Sequence, residues 1–241
     1  MRGRVDAAES SVATLSGTPS VVCRDLARTY GTGATAVVAV YGVSCTVPPG
    51  SRIAVTGPSG SGKSTLLHLM AGLERPTSGT ITWPALDGHP HGHPGRLGVV
   101  FQGPSLLPAL DVTENVALPL LLIGTDEADA ATRASEALHR LGIDELADKL
   151  PEQLSGGQAQ RVAVARVLAS RPRLILADEP TGQLDHQAAG LVLDVLLQAS
   201  AELGASLVVS THDPIIAARL DVEWTMRDGR IDTQHTTEAS A

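Results

Sequence analysis

The chain has 241 residues, 43% of them hydrophobic and only 2% aromatic, with 18 Lys and Arg against 26 Asp and Glu and a formal net charge of −8. That length suits one domain, or one domain with an inserted lobe, and holds ample material for a core. Acidity and scarce rings exclude a nucleic-acid binder, which wants a basic face and stacking platforms, and no apolar run approaches the roughly 18 residues of a membrane helix, which excludes direct insertion.

In chain order, the first residues carry Arg2 and Arg4 but also Asp6 and Glu9, without an apolar segment. Residues 1–19 therefore read as a flexible leader, and the chain is expected to stay in the cytoplasm. Val21 to Leu26, Ala36 to Val40, Val43 to Val47 and Arg52 to Thr56 read as strands, parted by Gly31, Gly33 and a Pro48-Pro49-Gly50 turn. They suggest an antiparallel edge feeding a central strand. Cys23 and Cys45 are the only cysteines and form no C-x-x-C pair, which fits a reducing compartment and argues against a disulfide scaffold or a cysteine zinc site.

Further buried strands are expected at Leu97 to Phe101, Arg173 to Ala177 and Ser206 to Ser210, with polar residues at the carboxyl ends where ligands of open α/β sheets bind. The most apolar stretch, Val116 to Ile123, is interrupted by Pro119, and from Thr125 to Ser170 the pattern turns helical. The fold class is thus α/β: a mostly parallel sheet with an antiparallel edge subdomain and a helical subdomain inserted at about 103–170. Residues 20–241 form a single domain, with Ile231 to Ala241 as a short polar tail.

Gly57-Pro58-Ser59-Gly60-Ser61-Gly62-Lys63-Ser64-Thr65 fits G-x-x-x-x-G-K-[ST], between the strand at Arg52 to Thr56 and a helix whose apolar face includes Leu66, Leu67, Leu69, Met70 and Leu73. Glycines let backbone N–H groups curl around phosphate oxygens, the helix N-terminus adds positive potential, and Lys63 reaches the β- and γ-phosphates. A plain Gly/Ser turn would not explain why one of only two lysines falls on that position. Ser64 supplies a hydroxyl for Mg²⁺.

Leu174 to Ala177 runs into Asp178, Glu179 and Pro180. Carboxylates ending a buried strand are costly unless they are solvated or meet a cation. Alone, such a pair is as often a turn or a cap. Beside a phosphate loop, Asp178 reads as part of the Mg²⁺ shell and Glu179 as the group that accepts a proton from, or orients, the water attacking the γ-phosphate. ATP is favoured over GTP because no Asn-Lys-x-Asp-like sequence is present.

Leu154-Ser155-Gly156-Gly157-Gln158 precedes a helical run, Ala159 to Leu168, with an apolar stripe at Val162, Ala165 and Leu168. Small residues ahead of a helix make a second anion cradle, so one chain carries two phosphate-facing surfaces.

With these motifs in this order, Val21 to Ile231 resembles the nucleotide-binding subunit of an ABC transporter, with a P-loop NTPase core. The resemblance implies that Tyr30 stacks on adenine, that Gln102 touches Mg²⁺ and reports to a membrane subunit, and that Asp185 crosses a dimer interface. His212, in Ser210-Thr211-His212-Asp213, would contact the γ-phosphate beside the catalytic Glu179. It further implies a head-to-tail homodimer in which Ser155 to Gln158 of one copy covers the ATP of the other. A transmembrane permease subunit would dock around Gln102 to Leu120 and hold the chain at the inner face of the cell membrane.

Pro76-Thr77-Ser78-Gly79, Leu106-Leu107-Pro108, Glu114-Asn115-Val116 and Ala177 to Gly182 are similar to the branch of lipoprotein-releasing and macrolide-exporting systems. A force-transmitting role on cell-wall enzymes, without solute transport, is the alternative. Gln183 departs from the Asn usual in that branch, and the segment Trp83 to Arg96 is short and rich in histidine. His89, His91 and His93 are spaced to share a metal ion, although Pro and Gly between them favour a solvated loop.

Overall fold

The computed structural model describes residues 17–182 and 184–236. Most of the expected leader, and Gln183, lie outside the described residues. The chain begins with β1 (Val21–Tyr30), paired antiparallel with β2 (Val37–Val47) on one side and β4 (Ser78–Thr82) on the other. Two strands were expected where β2 runs unbroken. Leu26 faces Val43 and Arg28 faces Val40, so the Tyr41-Gly42 step, with Gly42 at φ 62°, is absorbed as a bulge rather than a turn.

The main sheet has the order β5 (Leu97–Val100), β6 (Leu174–Asp178), β7 (Ser206–Ser210), β3 (Arg52–Thr56), β8 (Val222–Arg227), β9 (Arg230–Thr236). All neighbours are parallel except β8 and β9. β4, β8 and β9 were not anticipated. The supposed polar tail supplies β9, an edge strand whose exposed polar residues are normal there and hide its periodicity.

Side chains alternate across a sheet, and the buried strands split their apolar residues between two cores. Ile53, Val55, Leu174, Leu176 and Val208 pack with α1 (Lys63–Met70) and the inner face of the small sheet. Ala54, Ile175, Ala177, Leu207 and Val209 face the other way, toward the helices that follow β5. Those helices are α2 (Val112–Leu122), α3 (Glu127–Arg140) and α4 (Gly156–Ala169). α2 passes through Pro119 without ending. An apolar stripe was expected on α4, but it is buried nearly all round because α2, α3 and β5 all pack on it.

α1 stops short of Leu73, which was assigned to its apolar face. Gly72 (φ 71°) donates to Leu69 O at 3.0 Å and Leu73 N to His68 O at 3.0 Å, a left-handed cap that leaves Leu73 49% exposed. α5 (His186–Leu203) connects β6 to β7, and α6 (Pro214–Ala217) follows β7.

Candidate active site

The carboxyl ends of β3, β6 and β7 meet on one side of the main sheet, and the loop from Gly57 to Gly62 folds over them. Gly57, Gly60 and Gly62 have φ of 142°, 78° and 101°. A Cβ on Gly57 would lie 2.2 Å from Met226 O, and one on Gly62 2.2 Å from Ala39 O, so both positions require glycine on conformation and on space. Gly62 caps α1 with no side-chain hydrogen bond, which leaves the first N–H groups of that helix available to an anion.

Lys63 is 5% exposed. Its Nζ donates to Gly57 O at 2.9 Å and to Pro58 O at 3.1 Å, and lies 3.7 Å from Glu179 Oε1. These bonds fold the lysine back along its own loop.

The two carboxylates diverge because Glu179 has a left-handed backbone, φ 44°. Asp178, the last residue of β6, turns into the interior: its Oδ1 accepts from Ser64 Oγ at 3.0 Å and from Ser210 Oγ at 2.5 Å. Glu179 turns into the cavity, where its Oε2 lies 3.5 Å from Gln102 Nε2 and 3.5 Å from His212 Nδ1. The Glu179 backbone N–H donates to Ser210 Oγ at 3.0 Å, so one hydroxyl on β7 holds both acidic positions. Ser210 was read only as a strand end and as the first residue of the His212 motif. A small polar residue beside the His212 motif, in an otherwise apolar strand, was the available signal.

The cavity measures about 620 Å³. Ser59, Gly60, Gly62, Lys63, Ser64, Thr65, Gln102, Glu179 and His212 all contribute to its wall. So do Val37 and Val38, which sequence reasoning missed; they are 62% and 50% exposed. Tyr30 stands beside this wall as the register partner of Val37, with the Arg28 guanidinium 4.5 Å from its ring centroid.

Of the three residues expected around Mg²⁺, Ser64 and Asp178 are in contact, while Gln102 faces Glu179. Leu154 to Gln158 line no part of the cavity. There Ser155 Oγ accepts from Gln158 N at 3.2 Å and Gln158 Oε1 accepts from Ser155 N at 2.9 Å, a reciprocal cap on α4. Asp185 likewise caps α5, accepting from Ala188 N at 2.8 Å.

The family model described as ABC transporter matches residues 40–182. The chain belongs to the ABC transporter family. It is 42% identical over 213 residues to the lipoprotein-releasing system ATP-binding protein LolD of Legionella pneumophila (strain Paris), covering 86% of this chain and 94% of that relative. Among solved structures, it is similar to a bacterial ABC transporter cassette solved as a dimer, with TM-score 0.84 and 32% identity over 91% of this chain and all of that one. A dimeric post-hydrolysis form of that cassette, bound to ADP and Pi, matches with TM-score 0.83 and 32% identity over the same shares.

As an ABC transporter subunit the chain binds ATP and is an ATPase, built on an α/β P-loop fold. No helix among the described residues is long and apolar enough to cross a membrane. Nor do those residues contain a cluster of three or more His, Cys, Asp or Glu side chains suited to a metal ion. His89, His91 and His93 form no such cluster. His89 packs edge-on to Trp83 and lies 4.8 Å from the His91 ring, its Nδ1 accepting from the His91 backbone N–H at 3.3 Å, while His93 Nε2 lies 3.1 Å from Asp87 O. Trp83, to which no role was assigned, is buried and donates to Met70 O at 2.6 Å, tying this short loop to the end of α1.

Proposed function

We propose that this ATPase works as a head-to-tail homodimer, each ATP held by the phosphate loop of one copy and by Ser155 to Gln158 of the other. The carrying observation is that Ser155 to Gln158 line no part of the cavity around Lys63, so that a second copy would have to bring them to the nucleotide. The dimeric form of its structural neighbour supports the reading.

ATP would favour the closed dimer because the second set of contacts exists only there, and a ligand shifts an equilibrium only through differential affinity. Tyr30 would stack on adenine, with Val37 and Val38 beneath the sugar. The N–H groups from Gly60 to Thr65 and the Lys63 ammonium would hold the phosphates. Ser64 and Asp178 offer hard oxygen donors already in contact, which suits Mg²⁺, and Gln102 would reach it by turning from Glu179. Bound there, Mg²⁺ would offset phosphate charge. Glu179, directed by Gln102 and His212, would orient the attacking water and draw its proton.

Hydrolysis would remove the closing advantage, and reopening would move a transmembrane subunit docked between the sheet and the helices after β5. That partner would keep the chain at the inner face of the membrane. Kinship with lipoprotein-releasing proteins points to a lipid-bearing cargo.

The test is Glu179→Gln. The variant should bind ATP, lose turnover by roughly a thousandfold and accumulate as a dimer on size-exclusion chromatography with light scattering. Robust turnover would overturn the role of Glu179. ATP-saturated protein that stays monomeric would overturn the two-copy site.

A further inference from the structure

Cys23 and Cys45 occupy directly opposed positions of the antiparallel pair β1–β2, in a register that runs unbroken from Val21↔Val47 through Val22↔Thr46. Both are free thiols, 2% and 6% exposed, in the core between the small sheet and the main one. The neighbouring Cys23 thiol, then burial, holds the Cys45 thiol well above the usual range.

Directly opposed residues of an antiparallel pair have Cα atoms about 4.5–5.5 Å apart, inside the roughly 4.4–6.8 Å that disulfides span. A cavity of about 590 Å³ is lined by both cysteines and by the exposed residues Arg24, Ser44 and Thr46. The pair thus borders a cavity that also touches exposed residues. A site used for packing alone would need neither two sulfurs in register nor that cavity.

We propose that Cys23 and Cys45 are a modification site: a reversible cross-strand disulfide formed when the protein meets a peroxide. One thiol, losing its proton, attacks a peroxide oxygen; the O–O bond breaks, the sulfur becomes a sulfenic acid and water leaves. The second sulfur attacks the sulfenic sulfur, the S–S bond forms, the S–O bond breaks and a second water leaves. Two thiols give up two electrons and two protons, and one peroxide becomes two waters. A thiol reductant reverses the step by exchange.

The reduced pair is the resting form in a reducing compartment. Oxidation staples one end of a hairpin whose other end, at Tyr30 and Val37, borders the nucleotide cavity. Three register irregularities lie between these two ends. The staple fixes the register on which those bulges hang.

The test uses the full chain treated with hydrogen peroxide, alkylated with N-ethylmaleimide in denaturant, and mapped by peptide mass. The expected product is a peptide pair joined through Cys23 and Cys45, about 2 Da below the dithiol, in monomeric protein and restored by reductant. Its melting temperature should rise by about 5 °C over the reduced form, a rise absent in Cys45→Ala. Two maleimide adducts after peroxide, oxygen added to both sulfurs without a link, or disulfide-linked dimers would each overturn the proposal. The wild-type peptide map decides alone if Cys45→Ala does not fold.

Discussion

The phosphate loop and the Ser155–Gln158 turn use the same device, a glycine-bearing turn running into a helix, and finish it differently. At the loop, Gly62 caps α1 without a side chain, and Lys63, Ser64, Asp178 and Glu179 gather around the open N–H groups. At the turn, Ser155 and Gln158 satisfy each other, and a Cβ on Gly156 would meet nothing within 4 Å. The first is a site whose helix N–H groups have no side-chain cap and stand open to a ligand. The second is internally satisfied and open at Gly156, with Leu184 close behind Gly157, the form expected of a surface that another molecule approaches from one side.

Substitutions can break the two halves separately. After Glu179→Gln, the largest effect is expected from Ser155→Asp. Aspartate caps a helix as well as serine, so the melting temperature should hold, yet a carboxylate facing ATP phosphates should cut turnover by roughly a hundredfold or more. ATP affinity of the monomer, read by calorimetry, should not move; a matching loss of affinity would place Ser155 in the same half-site as Lys63.

Lys63→Ala attacks the other half and should weaken ATP binding by roughly thirtyfold, since charge-assisted bonds to phosphate are lost. Unchanged binding would contradict the phosphate-loop assignment. Ser210→Ala loosens both carboxylates without touching nucleotide. Turnover should fall by about tenfold while ATP affinity stays within about twofold, and a reversed split would place Ser210 in binding. The smallest effect belongs to Trp83→Phe, outside both halves. Leaving Met70 O unpaired should cost about 1–2 kcal/mol in urea unfolding with turnover per folded protein intact.

Legibility in the sequence followed how local each determinant is. The phosphate loop, the Asp178-Glu179 pair and the Ser155 turn are contiguous segments whose chemistry needs particular residue types, so a reader finds them without coordinates. β3 and β7 were placed to the residue because strands buried on both faces leave unbroken Val and Ile runs. β4 and β9 escaped because one-sided or edge strands spend half their positions on polar residues. Ser210, Val37 and Val38 escaped for another reason: their importance arises from what β7 and β2 are brought against. The histidines stayed ambiguous because spacing along a chain does not fix which way imidazoles point, and Trp83 and Asp87 claim two of them.

The tightest restraint on the phosphate loop comes from the far end of the chain. Met226 O backs Gly57, Gly229 N donates to Ser61 O at 3.1 Å, and Tyr41 N donates to Gly229 O at 2.8 Å, so the β8–β9 turn is wedged between the loop and β2. During synthesis, therefore, the motif emerges early but stays unbraced until residue 229 has left the ribosome. Full bracing of the nucleotide loop then waits on the β8–β9 pair, although the motif itself lies far ahead of it in the chain.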